Sequence, residues 1–299
     1  MSDSTPPLLE GITIDPDFAG RKGYDADFLG TGDHSVPLPV LSDELVAAAA
    51  ENKLATGEPR YLLPYHHYSV VMNRERRLAF FTAVNIDGTT SMRLKREKDR
   101  WFVDPRIPAE EQTDEDVYRN NPLDRGHLVR RLDPAWGSSR TEAKASNDDT
   151  FHFTNCSPQH EDFNQNQTTW AGLEDYILEN AENRDLRVSV ITGPVLAGDD
   201  EEFAGVQLPR QFWKVVVMVK ESGELSATAY LLSQEELIAG LEVVPESFSY
   251  GAYKTFQVPV RRVEGLTGLS FGSLSDFDPL DGLEATAAKE IRRFDRIAL

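Results

Sequence analysis

The sequence predicts an α+β fold, a layered and mainly antiparallel sheet with flanking helices, on three observations. Segments dense in β-branched and aromatic residues recur along the chain: YSVVMN, LAFFTAVNI, LRVSVITGPVL, FWKVVVMVK and SATAYLLS. They read as strands. These segments are joined by turns as often as by helical stretches, which disfavours a doubly wound parallel sheet. Helical patterning is confined to a few places: DELVAAAAENKLA at 43–55, a stripe of Trp170, Leu173, Ile177 and Leu178, then QEELIAGL, and a charged LEATAAKEIRRF near the end.

Taken in order, residues 1–58 are rich in Pro, Gly and Asp and read as an extension or arm, followed by one domain over 59–299. Within the arm, Ser42 is placed to cap the 43–55 helix. From Tyr61 the pattern turns strand-like, and YSVVMN and LAFFTAVNI flank the turn-like NRERR, so a hairpin is expected. Asp87-Gly88 marks a further turn, leading to MRLKRE and RWFVDP. The Pro-rich, acidic stretch 105–122 is expected on the surface. It delivers the chain to Leu123 and the run Asp124-Arg125-Gly126-His127. About two dozen polar residues follow before FHFTN, and a loop of that length with little structure of its own tends to be functional. The Trp170 to Leu178 stripe is the next helix, capped by Thr168 or Thr169, with Glu174 displaced toward the edge of its buried face. A buried carboxylate is costly unless it is paired or bound to a cation.

Composition bounds the function. No repeat is visible, and no apolar run approaches the roughly 20 residues that span a bilayer, so a membrane is not an expected partner. MSDSTPPLLEGITIDPD lacks the basic and apolar regions of a secretory signal, so a cytoplasmic location is the default expectation. Cys156, the single cysteine, cannot form an internal disulfide and reads as a small buried filler. The net charge of −19, from 50 acidic and 31 basic residues, argues at first against a nucleic-acid partner. Net charge describes the whole surface and not a cleft. Basic residues cluster as Arg74, Arg76, Arg77, then Arg93, Lys95, Arg96, Lys98, Arg100, then Arg125, Arg130, Arg131, which favours a cleft of opposite sign.

The chemistry-bearing residues are concentrated in two short segments. A histidine takes a proton near neutral pH, an arginine pairs with a phosphate through a planar fork, and Asn and Glu oxygens suit a hard divalent cation. DRGH together with NCSPQHEDFNQNQTTWAGLE therefore reads as the kit of a metal-dependent phosphodiesterase. A zinc hydrolase built on His66, His67, His127, His152 and His160 is disfavoured, because their spacing matches no compact zinc signature.

The ordered motifs DRGHLVRR, FHFTNCSPQ, FNQ and WAGLEDY resemble the DNA/RNA non-specific endonucleases, the endonuclease G-like ββα-metal (His-Me finger) nucleases, with the likeness covering about residues 60–275. The resemblance implies that two strands carry the base and its supporting Asn, and that a helix brings the metal ligands across from them. His127 would be the general base, Arg125 a contact to the scissile phosphate, Asp124 a brace, and Asn155 a support for the base or its waters. Asn164, with Glu174 acting through water, would hold Mg2+, with Mn2+ as the alternative ion. Asn164 lies ten residues before Glu174, where the family has eight, and Asn166 lies at eight. The nine-residue step from Asn155 favours Asn164. Arg100 resembles an upstream phosphate-binding arginine. The substrates implied are DNA and RNA, and the resemblance leaves open a homodimer and an inhibitor or regulatory partner. The rival reading is a catalytically silent nuclease fold used for interaction or regulation, for which the acidic charge is the main support.

Overall fold

The computed structural model describes residues 12, 14–160, 177–179, 181, 185–235, 255–282 and 289–290. In chain order the strands are β1 (Leu62–Pro64), β2 (Tyr68–Asn73), β3 (Leu78–Asp87), β4 (Leu123–His127), β5 (Cys156–His160), β6 (Arg187–Val195), β7 (Glu202–Phe203), β8 (Val206–Gln207), β9 (Gln211–Val219), β10 (Leu225–Ser233), β11 (Thr255–Val258) and β12 (Lys289–Glu290). The main sheet runs β1-β2-β3-β6-β9-β10-β11-β12, with every neighbouring pair antiparallel. The expected α+β class with a large antiparallel sheet is the one observed.

The strands read as nearly continuous apolar runs because both faces of the sheet are covered. Along β3, Val84 and Ile86 enter one core while Phe81 and Ala83 enter the other, as the alternation of a strand requires. The first face packs Val70, Val190 and Val216 against Leu128, Val129, Ile177 and Leu178. The second is covered by Val36, Leu41 and Ala49, by the helix Val260–Thr267, and by Phe271. A smaller cluster of Val117, Tyr118, Leu123, Phe153 and Cys156 supports the β4–β5 pair. Cys156 is fully buried there, as a filler should be.

Four helices matter here: α1 (Asp43–Ala48), α2 (Glu115–Tyr118), α3 (Arg140–Asp149) and α4 (Val260–Thr267). Ser42 caps α1, its hydroxyl accepting from the Leu45 amide at 3.3 Å. The helix ends at Ala48, well short of the expected residue 55, because Ala49 bridges to Asn73 and the Ala50 amide donates to the Met72 carbonyl. Sheet pairing overrides helix propensity there. Residues 105–122 also depart from expectation. Arg106, Ile107, Gln112 and Thr113 are buried, and the interior tolerates Arg106 and Gln112 because their polar groups are bonded. Arg106 pairs with Asp104 at 2.7 Å, and the Gln112 amide bonds both the N–H and the carbonyl of Asp104. The polar stretch after His127 contains the ten-residue helix α3 and is not an unstructured loop. Lys289–Glu290, expected in a C-terminal helix, instead extend the open edge of β11. The rest of that helix, QEELIAGL beyond Glu235, and the start of the Trp170 stripe lie outside the described residues.

The segment before residue 59 is stitched into the same cores. Phe18, Val36, Leu41, Ala49 and Ala50 are buried. Arg21 is anchored by a two-pronged pair to Asp149, both bonds 2.8 Å and both side chains almost fully buried. His66 Nδ1 lies 2.7 Å from the same carboxylate. These hydrogen bonds hold the Asp149 carboxyl well below the usual carboxylate range against the opposing effect of burial.

Candidate active site

His127 ends β4, and register pairs it with Cys156 at the start of β5. The pair is antiparallel and short, and the chain between its strands closes over α3. Asn155, immediately before β5, locks that closure. Its carbonyl accepts from the Leu128 amide, its Oδ1 accepts from the Val129 amide at 3.0 Å, and its Nδ2 donates to the Val129 and Thr150 carbonyls at 2.9 and 3.0 Å. The side chain acts on the backbone just past His127 and thereby fixes where the imidazole sits.

The imidazole is held between two aromatic rings. Trp101 lies 4.6 Å away, tilted, and Phe151 lies 4.9 Å away, edge-on. The residue as a whole is half-buried, and its Nε2 is buried with no hydrogen-bond partner among the described residues. Burial pushes its pKa down to about 3, assisted by Arg96, Arg131 and Arg130 and opposed by Asp99. The imidazole is therefore held in its neutral form at physiological pH.

Gly126 is required by a close approach. A Cβ at this position would sit 2.1 Å from Gln159 Oε1. Gln159 is fully buried, and both of its amide atoms are unpartnered among the described residues.

The other nominated residues separate. Arg125 lies two residues before His127 and so shares its strand face. Its guanidinium donates to Glu115 of α2 at 3.0 Å and lies 5.6 Å from the Tyr118 ring. Asp124, on the opposite strand face, acts electrostatically on Arg96. Arg100 lies over the Phe102 ring at 4.9 Å. Asn164, Asn166 and Glu174 are outside the described residues. The cations that bear on His127 come instead from Arg96, Arg130 and Arg131. The sequence placed them in basic runs favouring a cleft of opposite sign, without a role for each, and it missed Trp101 and Phe151 as neighbours of His127.

The remaining histidines do not converge on a metal. His67 stacks on Trp136 with ring centroids 3.5 Å apart, and His152 Nδ1 lies 2.8 Å from the Asp149 carbonyl. Among the described residues, no group of three His, Cys, Asp or Glu side chains could hold an ion. No helix among them is long and apolar enough to cross a membrane.

Comparison with known proteins bears on this arrangement. Residues 46–277 match the family model described as DNA/RNA non-specific endonuclease. A protein of Sinorhizobium fredii, itself uncharacterized, is 42% identical over 267 residues, covering 85% of this chain and 39% of that protein. The chain thus spans well under half the length of this relative. A nuclease of Nostoc sp. is 26% identical over 220 residues, covering 73% of this chain and 75% of its own length. A chain from the crystal structure of the EndoG/EndoGI complex, which concerns the mechanism of EndoG inhibition, superposes with a TM-score of 0.55 at 20% identity, over 72% of this chain and 86% of that one. That likeness establishes the shared fold.

Proposed function

Because the chain belongs to the DNA/RNA non-specific endonuclease family, we propose that it hydrolyses phosphodiester bonds within DNA and RNA, with His127 as general base and Mg2+ as cofactor. The observation that carries this reading is the imidazole itself: neutral, clamped between Trp101 and Phe151, with Nε2 buried and unpartnered among the described residues. A buried ring nitrogen with no partner is costly. It keeps the free imidazole in the neutral form that a general base must start from.

A phosphodiester resists attack because it is anionic, so the site must generate a nucleophile and offset charge on phosphorus. His127 Nε2 takes the proton of the attacking water. Asn155 holds the backbone beside it and sets the angle of approach. Arg125 reaches the scissile phosphate by exchanging Glu115 for a phosphoryl oxygen, and Asp124 braces the strand end.

The donor chemistry of Asn164 and Glu174, neutral and charged oxygens, fits a hard cation, and the unpartnered Nε2 of His127 is the acceptor such a site needs. Mn2+ is the alternative ion. When bound, a divalent cation neutralises phosphoryl charge and acidifies water.

The test is incubation of the purified protein with plasmid DNA and with structured RNA, in Mg2+ or in EDTA, beside His127→Ala. Cleavage of both substrates in Mg2+, abolished by EDTA and reduced on the order of 10²–10⁴-fold by the substitution, is expected. Undiminished cleavage by His127→Ala would remove the assigned base. No cleavage by the parent would leave the silent-fold reading.

A further inference from the structure

Helix α2 presents two side chains to Arg125. Glu115 and Tyr118 are three residues apart and so share a helix face, and the Arg125 guanidinium meets both. Its Nη2 donates to Glu115 Oε1 at 3.0 Å, and it lies 5.6 Å from the Tyr118 ring. Asp114 fixes the start of this short helix, its carboxylate accepting from the Asp116 amide at 3.0 Å. A row of rings continues from there to the base. Tyr118 stacks on Phe153 at 6.2 Å, Phe153 lies 5.9 Å from Trp101, and Trp101 lies 4.6 Å from His127. Arg125 and His127 stand at the two ends of that row, on one strand face.

The pairing of Arg125 with Glu115 is incomplete. A guanidinium grips a carboxylate or a phosphate best through two parallel N–H donors, yet Nη2 alone engages Glu115, and Nε is buried with no hydrogen-bond partner among the described residues. An orphaned buried donor is costly. The arginines that hold the fold together are bound differently: Arg21 takes Asp149, and Arg106 takes Asp104, through Nε and Nη2 together, with both members of each pair buried. Glu115 is exposed, and a solvated, single-bonded ion pair is weak. A phosphoryl group offers acceptors to both donors once the Arg125 side chain leaves this position.

We propose that Glu115 is an internal competitor for Arg125: its carboxylate stands in for a phosphoryl oxygen, parks the guanidinium in the free protein and lowers the apparent affinity for nucleic acid, without taking part in the chemistry. This deepens the nuclease reading and rests on its assignment of Arg125 to the scissile phosphate; it adds the group that the phosphate displaces. The pair breaks on binding and stays broken through the reaction. Glu115 therefore raises KM and leaves kcat alone.

The first measurement is binding without cleavage. In a His127→Ala background, affinity for a fluorescently labelled DNA duplex is followed by anisotropy at about 0.1 M salt. Glu115→Gln is expected to tighten binding about two- to fivefold, the range of a solvated ion pair. Asp116→Asn removes the same charge one residue away, from a side chain paired with Arg119 at 2.9 Å, and should tighten binding clearly less. Glu115→Gln added to Arg125→Gln should change nothing, because the competitor then has nothing to hold. In the protein that retains His127, Glu115→Gln should lower KM by the same factor and leave kcat unchanged.

Glu115→Gln that leaves affinity unchanged or weakens it, that acts no more strongly than Asp116→Asn, or that acts equally without Arg125 would overturn the competitor. So would failure of the duplex to bind. If circular dichroism shows that Arg125→Gln does not fold, the comparison of Glu115→Gln with Asp116→Asn decides. Tightening that depends on Arg125, in a protein whose His127-bearing parent never cleaves, would support the competitor and overturn the nuclease reading. Cleavage by the parent with no such tightening would do the reverse.

Discussion

Lowering the pH tests the site at its centre, because the state of His127 is set mainly by burial, which outweighs the opposing charge of Asp99. A histidine with the ordinary pKa of about 6.5 is neutral in about 3% of molecules at pH 5 and about 76% at pH 7, so a reaction using it as base loses about 25-fold across that interval. With the pKa pushed down to about 3, about 99% of molecules hold a neutral imidazole at pH 5, and kcat/KM should change by less than about twofold. The assay is kcat/KM on a short labelled duplex at fixed Mg2+ from pH 5 to pH 8, since kcat/KM reports the free enzyme. An acid limb centred near 6.5 that disappears in no variant except those of His127 would refute the argument.

Stability provides an independent readout of the same shift. The folded pKa lies below the unfolded one, so between about 3 and 6.5 the unfolded chain binds the extra proton. Stability must then rise with pH across that window, by at most about 1.4 kcal/mol per unit for one histidine. His67 and His152, both lowered mainly by burial, act in the same direction. Denaturant titrations at pH 5 and pH 7 should therefore show a smaller difference for His127→Ala than for the parent.

Three further substitutions test the framework around the base. Asn155→Ala removes three side-chain bonds to backbone; it should cost about 2–4 kcal/mol, read by urea unfolding, and lower kcat more than it raises KM. Gly126→Ala puts a methyl group into the buried Gln159 amide and should cost about 1–3 kcal/mol in the same measurement. Arg21→Ala leaves Asp149 buried beside His66 without its guanidinium and should cost about 3–5 kcal/mol, lowering Tm by several degrees. A neutral Tm for Arg21→Ala would show that residues before 59 are not held as described.

The strands were legible because their burial is simple. YSVVMN coincides with β2 and LAFFTAVNI with all but the last residue of β3, since a sheet covered on both faces leaves short apolar runs rich in β-branched and aromatic residues. Helix α3 was not found by that route. Its buried residues are Ala143, Ser146, Asn147, Asp148 and Asp149, so it has no apolar stripe to betray it. A signal was nevertheless present in Ser139-Arg140-Thr141-Glu142, an S-x-x-E capping pattern. The Ser139 hydroxyl does accept from the Glu142 amide, at 3.2 Å. What makes the helix stable inside is the pairing of Asp149 with Arg21, 128 residues away. No local pattern carries a contact of that range. The chemistry was more legible than the packing: His127 and Asn155 stand in short motifs, whereas Trp101 and Phe151 meet the imidazole only through the fold.

The same distinction bears on how an acidic chain would serve the anionic substrate proposed for it. A sequence tally treats the three basic runs alike, but the fold uses them differently. Arg76 is consumed by Asp200 and the Ala197 carbonyl, Arg77 by the Gln112 carbonyl, and Arg74 by the Ala47 carbonyl, so the 74–77 run holds loops in place. Several carboxylates are likewise spent internally, Asp149 on Arg21 and Asp104 on Arg106, with both members of each pair buried. Such pairs project little field. Charges on remote surfaces are screened over about 8 Å at physiological ionic strength. The charges that bear on His127 are local, Asp99 opposed by Arg96, Arg131 and Arg130, and the overall −19 does not describe them. For the proposed polyanionic substrate, net charge would bear on the approach from a distance and local charges on binding at the site.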